Sequence, residues 1–206
     1  MYALVEDGSI TKLINNPKAM VIGDVQYPAK IFQLWSESEL NAIGIYEVTT
    51  NSTNFKDEKW YINTNESYAF ADDQVTRSWG TATPKAHADT LWTAQDETDG
   101  KGTEGEVATR GLKYNFIKTI KAQAAGILKN TDWYILRKAD ADTDVPSAIT
   151  TFRAAVRTKA AAMETLITNA SNTAAIETLY TYVNTADEGD PKVFERPLGE
   201  FPVLGS

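Results

Sequence analysis

The chain has 206 residues, of which 42% are hydrophobic and 10% aromatic, so it has enough apolar content for a packed core and is not a disordered tail. Its 28 acidic and 20 basic residues give a formal net charge of −8, a surface that repels phosphate backbones and anionic lipid, so we expect neither a nucleic-acid nor a membrane partner. The absence of cysteine excludes disulfides and thiolate metal sites, and neither a bilayer-spanning apolar run nor the pattern of a signal peptide is found.

Residues 1–93 predict a small β-rich N-terminal domain with one short helix. The turn dipeptides Asp7-Gly8 and Gly23-Asp24 each separate two short runs suited to pairing, which is the pattern of a β-hairpin. Aromatic and β-branched residues favour strands further along the domain. The predicted strands are Tyr2–Glu6, Ser9–Ile14, Ala19–Ile22, Val25–Tyr27, Ile45–Thr49, Lys59–Asn63, Ser67–Ala71 and Val75–Trp79.

The short helix is predicted over Glu37–Ile43. Ser36 and Glu39 have the spacing of a capping box, in which each side chain accepts a hydrogen bond from the backbone N–H of the other residue. Trp35 and Leu40 have the spacing of a hydrophobic staple. Gly44 supplies the left-handed residue that ends a helix.

Residues 94–107 are acidic and rich in glycine, and they offer little to bury. We therefore predict a linker here, with its most protease-sensitive point near Gly100–Gly105. The run Gly100–Gly105 also matches G-x-G-x-x-G, the dinucleotide fingerprint. That motif needs a hydrophobic strand before it, whereas here the preceding carboxylates would repel a pyrophosphate, so a linker is the better interpretation.

Residues 108–185 predict a helical domain, a hairpin or bundle, because apolar residues recur every three to four positions. The first helix carries such a stripe, Thr131-Asp132 offers a cap for a short second helix, and Pro146 opens the longest helix. A last helix begins at Thr173. The predicted centre of this domain is Leu112, Phe116, Ile120, Trp133, Phe152, Val156 and Met163. Together the two halves predict an α+β protein.

Catalytic and metal-binding patterns are weak. His87 is the only histidine, and no serine lies in a nucleophile-elbow pattern that it would serve as a base. Asp140–Asp144 resembles the start of a calcium loop, but Val145 replaces the turn glycine and Thr151 the bidentate glutamate. A carboxylate-dependent hydrolase is kept as an alternative, although no carboxylate pair is singled out by spacing. We predict no catalytic residue, no cofactor and no metal.

The back half resembles a known family in two runs. The first reads Gly111-Leu-Lys, Ile120-Lys-Ala-Gln-Ala-Ala and then Leu128-Lys-Asn-Thr-Asp-Trp133-Tyr-Ile-Leu-Arg137. The second reads Val145-Pro-Ser-Ala-Ile-Thr-Thr-Phe152-Arg153-Ala-Ala-Val-Arg157. This pattern resembles the C-terminal region of bacteriophage tail-fibre assembly chaperones and related virion-associated proteins, over roughly residues 108–170. Trp35–Ile45 resembles the front half of such proteins more loosely.

The resemblance implies a non-enzymatic protein that binds a phage tail-fibre protein or another virion protein. It implies location in the host cytoplasm during assembly, and retention in the virion is left open. The alternative function is a structural virion component, such as a fibre adaptor or a baseplate, tail or capsid-attached protein. Self-association into a homo-oligomer is also left open.

Partner binding is predicted on the helical domain and on an extended tail, residues 186–206, whose prolines lower the entropy lost on docking. For the tail, the alternatives are that it folds back on the N-terminal domain or stays loose. For Arg153 and Arg157, the alternative is that they hold the helical hairpin together. The predicted partner-binding residues are Arg153, Arg157, Phe194, Leu198, Phe201 and Leu204.

Overall fold

A computed structural model describes residues 1–205, and the chain divides into two compact units. The first unit is Met1–Thr83, and the second begins at Pro84. The first is β-rich and the second mostly helical, which confirms the predicted α+β class. Among the described residues, no helix has both the length and the apolar character needed to cross a bilayer.

The first unit is built on a five-stranded sheet with strand order β2-β1-β5-β8-β7. Neighbouring strands are antiparallel except for β5 and β8, which run parallel with Val48 opposite Val75. Strands β3 and β4 form a separate hairpin. The strands are β1 (Tyr2–Glu6), β2 (Ser9–Ile14), β3 (Met20–Ile22), β4 (Val25–Tyr27), β5 (Ile45–Thr50), β6 (Tyr61–Ile62), β7 (Ser67–Ala71), β8 (Gln74–Ser78) and, at the boundary, β9 (Thr83–Pro84).

Both predicted hairpins are confirmed, and the first has the strand bounds that its turn indicated. Asp7 and Gly8 have φ values of 50° and 73°, the positive values that a two-residue hairpin turn with right-handed twist requires.

The sheet packs apolar residues on both faces. Ala3 and Val5 of β1 join Val75 in one cluster, whereas Leu4 joins Ile45 in another. Because successive side chains of a strand point to opposite faces, a strand that is buried on both sides reads as a continuous apolar run.

Two short helices, α1 (Ile31–Leu34) and α2 (Glu37–Asn41), connect the hairpins to β5. The capping box of Ser36 and Glu39 is present, as predicted, and α2 ends two residues earlier than expected. Gly44 has φ +81°, and a Cβ there would lie 2.5 Å from the Val5 carbonyl oxygen, so both the turn and the approach to β1 require glycine.

The second unit is built around two long helices with shorter elements on either side. Its elements are β10 (Thr90–Leu91), α3 (Ala94–Thr98), β11 (Val107–Thr109), α4 (Leu112–Lys129), α5 (Asp132–Ala141), α6 (Ser147–Asn169), α7 (Thr173–Tyr180), β12 (Val183–Asn184) and β13 (Phe194–Glu195). Lys113 at the start of α4 contacts Thr168 near the end of α6, and Leu128 at the other end of α4 contacts Arg153, so the two helices run antiparallel.

The predicted linker over 94–107 is wrong, because this segment folds within the second unit. Thr93 and Asp96 form a capping box at the start of α3, and β11 pairs with β10. A Cβ on Gly102 would lie 2.3 Å from Nε1 of Trp92, so the segment packs against the indole. Its acidic groups are engaged locally, since Lys101 lies 3.1 Å from Asp96 and 3.0 Å from Asp99.

The helical core agrees with the predicted centre except at two positions, of which Leu112 is half-buried and lies outside the core cluster. The fully or nearly buried residues of this core are Ile120, Ala124, Val156, Ala160, Met163, Ile167 and Leu198. Phe116 and Phe152 pack against them. Trp133, however, is 49% exposed, so its assignment to the core is wrong. Trp133 lies in α5, which follows a tight turn, and the apolar spacing along α4 and α6 does not predict how α5 is oriented.

The C-terminal segment is attached to the helical core of the second unit. β13 pairs with β12, the Leu198 N–H donates to the Leu179 carbonyl at 3.0 Å, and the Leu198 side chain is buried in the helical core. Residues 186–205 contain no helix, in agreement with the predicted extended conformation, but they pair and pack within the second unit and do not form a free tail.

Candidate functional site

The turn between α4 and α5 is fixed by one buried arginine. Nη1 of Arg153 donates to the Leu128 carbonyl oxygen at 2.8 Å and to Oγ1 of Thr131 at 2.7 Å. The same atom lies 2.9 Å from Oδ1 of Asp132. The Thr131 hydroxyl donates to Leu128 at 2.9 Å instead of capping α5. Four residues of the resemblance pattern, Leu128, Thr131, Asp132 and Arg153, are thus joined at this turn.

Arg153 is only 8% exposed, so it is not available to a partner, and its predicted partner-binding role is wrong. The alternative, that it holds the helices together, is confirmed by its contacts. Arg157 lies one turn further along α6 and is exposed. Of the two arginines predicted to bind a partner, Arg153 is thus buried and Arg157 is exposed.

Helix α5 has no buried residue. Three large apolar side chains on it are open to solvent: Trp133 at 49%, Ile135 at 44% and Leu136 at 68%. Arg137 lies with its guanidinium carbon 4.8 Å from the Trp133 ring centroid, a contact that residues one helical turn apart can make. Trp133 and Leu136 lie three positions apart and so share one side of the helix, whereas Ile135 lies on another side, and we call Trp133 and Leu136 the α5 face.

A ten-residue helix is marginal in water unless packing supports it. The anchor at Thr131–Asp132 sets where α5 starts, but its outer apolar side chains have no cover within residues 1–205. Clustered large apolar groups at a surface are typical of protein–protein contact sites.

A groove of about 660 Å³ adjoins the start of α5. Thr131 lines it, together with Gly126 and Ile127 of α4 and Phe152 of α6. The opposite wall is the C-terminal segment, including Phe201 and Leu204. Its apolar floor and partly polar rim are the composition expected for a peptide-binding groove.

Polar contacts among Arg196, Glu200 and Tyr182 hold the C-terminal segment that lines the groove. Nε of Arg196 lies 2.7 Å from Glu200, and the Tyr182 hydroxyl donates to the same carboxylate. This hydrogen bond raises the pKa of Tyr182. Burial raises the pKa of the neighbouring Tyr180 to about 12, and its ring centroid lies 4.6 Å from that of Phe116.

The predicted tail residues therefore separate into three groups. Leu198 is fully buried, so its predicted contact with a partner is wrong. Phe201 packs on the core and lines the groove with Leu204, which is 46% exposed. Phe194 is 58% exposed and lines a smaller recess that includes Tyr182 and Gly199.

The carboxylates with shifted pKa values serve local structure. A hydrogen bond from the Thr93 hydroxyl, with smaller contributions from the Thr93 N–H and Lys101, lowers the pKa of Asp96 to about 2. The Ser36 hydroxyl lowers the pKa of Glu39 in the same way, and the Gly111 N–H and then Arg110 lower that of Asp89. Asp142 and Asp144, within the calcium-like run, both lie within 2.8 Å of Lys138.

Sequence reasoning missed the α5 face, although its residues lie inside the resemblance pattern. The signal was available: in the run Trp133 to Leu136 four bulky residues are consecutive, so they cannot all face one side of a helix. At least one of them had to point outward.

Comparison of the chain with protein-family models, with curated proteins and with solved structures found no match.

Proposed function

We propose that this protein is a bacteriophage tail-fibre assembly chaperone or fibre-associated protein that acts by binding a fibre protein through the α5 face and the adjoining groove. The observation that carries the proposal is α5, a helix with no buried residue whose Trp133, Ile135 and Leu136 are open to solvent. The resemblance of residues 108–170 supplies the class of partner.

The physical role follows from what an unassembled fibre exposes. Fibre subunits carry apolar surface and strand edges that aggregate before assembly. A bound helix face that covers such surface lowers the concentration of the aggregation-prone form without any chemical step. The Arg153 turn holds α5 in place beforehand, which reduces the ordering cost of binding.

The test compares two exposed leucines. Leu136 is 68% exposed on α5, and Leu34 is 74% exposed on α1 in the first unit. Leu136→Asp should abolish co-purification of the co-expressed fibre protein and lower its soluble yield, whereas Leu34→Asp should leave both unchanged. Both variants should melt within a few degrees of the parent, because surface substitutions change stability by only about 0.5 kcal/mol. Equal fibre capture by the two variants would overturn the proposal.

The structural virion component remains the second candidate for the same surface. Mass spectrometry of purified particles separates the two: a chaperone is absent from them, whereas a structural component is present at a fixed ratio to the fibre. The Leu136→Asp comparison applies to both, since both need a protein contact.

A further inference from the structure

Charge is strongly segregated in this protein. Helices α4 and α6 carry seven cationic side chains and one carboxylate, Glu164, although the whole chain has 20 basic and 28 acidic residues. Helix α4 alone has four lysines and no acid. The seven are Lys113, Lys118, Lys121, Lys129, Arg153, Arg157 and Lys159.

Four of these cations have partners within the fold. Lys113 donates to the Thr168 carbonyl at 2.8 Å, and Lys121 lies 3.4 Å from Glu164. Arg153 holds the α4–α5 turn. A Cβ on Gly199 would lie 2.2 Å from Nζ of Lys159, so that ammonium packs against the C-terminal segment.

The other three, Lys118, Lys129 and Arg157, are exposed, and within residues 1–205 none of them has a carboxylate at ion-pair distance. We call these three the basic face. Lys121 on α4 pairs with Glu164 on α6, which marks one flank of the two helices. Lys118 lies one turn before Lys121, and Arg157 lies two turns before Glu164, so helix geometry places the basic face on that flank.

Two of the three cations, Lys129 and Arg157, lie near the start of α5, whereas Lys118 lies about three helical turns before Lys129 on α4. Lys129 is two residues before Thr131, and Arg157 is one turn beyond Arg153, which contacts Asp132. An apolar face with a cationic border is thus present at one end of the α4–α6 pair.

We propose that the docking segment of the partner is acidic: a protein segment with apolar anchors for the α5 face and carboxylates for Lys118, Lys129 and Arg157. This inference rests on the proposed function and adds the chemistry of its partner. Cations at the border of an apolar contact attract an acidic segment from a distance and fix its register, and they disfavour basic segments.

A nucleic acid is the other polyanion that such a face attracts, and the rest of the molecule disfavours it. A duplex extends well past three side chains, so it would meet the negative remainder of a chain with net charge −8. A duplex, whose bases are already stacked on each other, also gains little from the aliphatic side chains of Ile135 and Leu136, whereas an apolar protein segment packs against them.

The experiment uses the full chain and a matched pair of charge reversals. The triple variant Lys118→Glu, Lys129→Glu, Arg157→Glu removes the basic face. The control variant Lys12→Glu, Lys18→Glu, Lys30→Glu makes the same change in net charge on exposed lysines of the first unit. A third variant, with glutamine at 118, 129 and 157, removes charge without adding repulsion. Circular dichroism and melting curves check that all three fold.

The probes are two labelled helical peptides with a leucine face, one flanked by glutamates and the other by lysines, together with a labelled DNA duplex. We expect the glutamate peptide to bind the parent and the control alike, the triple reversal about tenfold more weakly, and the glutamine variant in between. Raising salt should weaken this binding.

Three outcomes would overturn the inference. They are equal binding of the glutamate peptide to both reversals, tighter binding of the lysine peptide than of the glutamate peptide, and DNA binding that depends on the same three cations.

Capture of the fibre protein by the same variants separates this inference from the proposed function. If the triple reversal captures the fibre as well as the control does, the acidic segment is wrong and the function stands. If the glutamate peptide binds as expected and no variant captures the fibre, the function is wrong and the partner chemistry stands.

Discussion

At the scale of single residues, Arg153 and Trp133 have exchanged the roles that their chemistry suggests. The arginine is 8% exposed and the tryptophan 49%. The exchange has a physical cause: the α4–α5 turn leaves the Leu128 carbonyl and the Thr131 hydroxyl in need of a donor, and a guanidinium reaches both atoms at once. Asp132 supplies a countercharge to it.

We expect Arg153→Met to lower the free energy of unfolding by about 2 kcal/mol, since hydrogen bonds from a charged donor are lost and the aliphatic packing is kept. The Asp132 carboxylate is half exposed and stays hydrated, which limits the loss. Arg157→Met is the control and should change stability by less than about 0.5 kcal/mol. Urea unfolding curves measure both variants, and equal values would contradict the anchoring role.

Trp133→Ala should cost less than about 1 kcal/mol, because its main intramolecular contacts are the stacked Tyr134 ring at 3.8 Å and Arg137. Trp60, which is 4% exposed, is the matched control, and Trp60→Ala should cost about 3–5 kcal/mol. Denaturant unfolding followed by circular dichroism gives both numbers. A large loss at position 133 would mean that Trp133 belongs to the core after all.

At the scale of elements, the segment 94–107 shows how a polar, glycine-rich stretch becomes ordered. A capping box starts α3, Lys101 neutralises two of its carboxylates, and Gly102 admits the Trp92 ring. The C-terminal segment shows the converse case, where one apolar residue, Leu198, attaches a proline-rich stretch to the core. The exposed loop between β12 and β13 has no comparable anchor.

Limited trypsin digestion should therefore cut first after Lys192, in the loop between β12 and β13, and only later after Lys101. The physical reason is that a protease needs several residues of unfolded chain, and the Lys101 segment is held by α3 and by Trp92. Mass spectrometry of the first fragments identifies the site. A first cut at Lys101 would show that 94–107 opens more easily than its contacts indicate.

At the scale of the whole molecule, an acidic chain contains a helical pair with a basic flank. Most of the carboxylates whose pKa is lowered form helix caps or ion pairs. The lowered pKa values of Glu39, Asp89 and Asp96 make folding pH-dependent. A carboxylate whose pKa is lower in the folded chain contributes stability above its unfolded pKa, and this contribution is lost as pH falls through the folded value.

For Asp96 the window lies between the ordinary value of 3.8 and about 2, so we expect the melting temperature of the parent to fall through this range. Asp96→Asn should be less stable at neutral pH and should lose less on acidification. Asp24→Asn, at an exposed position in the β3–β4 turn, is the control and should follow the parent. Parallel acid slopes for all three proteins would contradict the capping role.

The sequence by itself determined the elements whose signals are local. The hairpin at Asp7-Gly8, the capping box at Ser36 and Glu39, the stop at Gly44 and the stripes of α4 and α6 each depend on neighbours within a few residues, so their spacing was sufficient. The resemblance over 108–170 likewise indicated a protein-binding role, which remains a proposal.

Only the tertiary structure decided which residues of the second unit face solvent. Whether Arg153 is inside, Trp133 outside and Leu198 in the core depends on contacts between residues that are far apart along the chain, such as Arg153 with Leu128 and Leu198 with Leu179. Periodicity describes one helix at a time and says nothing about the turn that connects two helices. The candidate site lies at such a turn, so its apolar face and its basic border became visible only once the chain was folded.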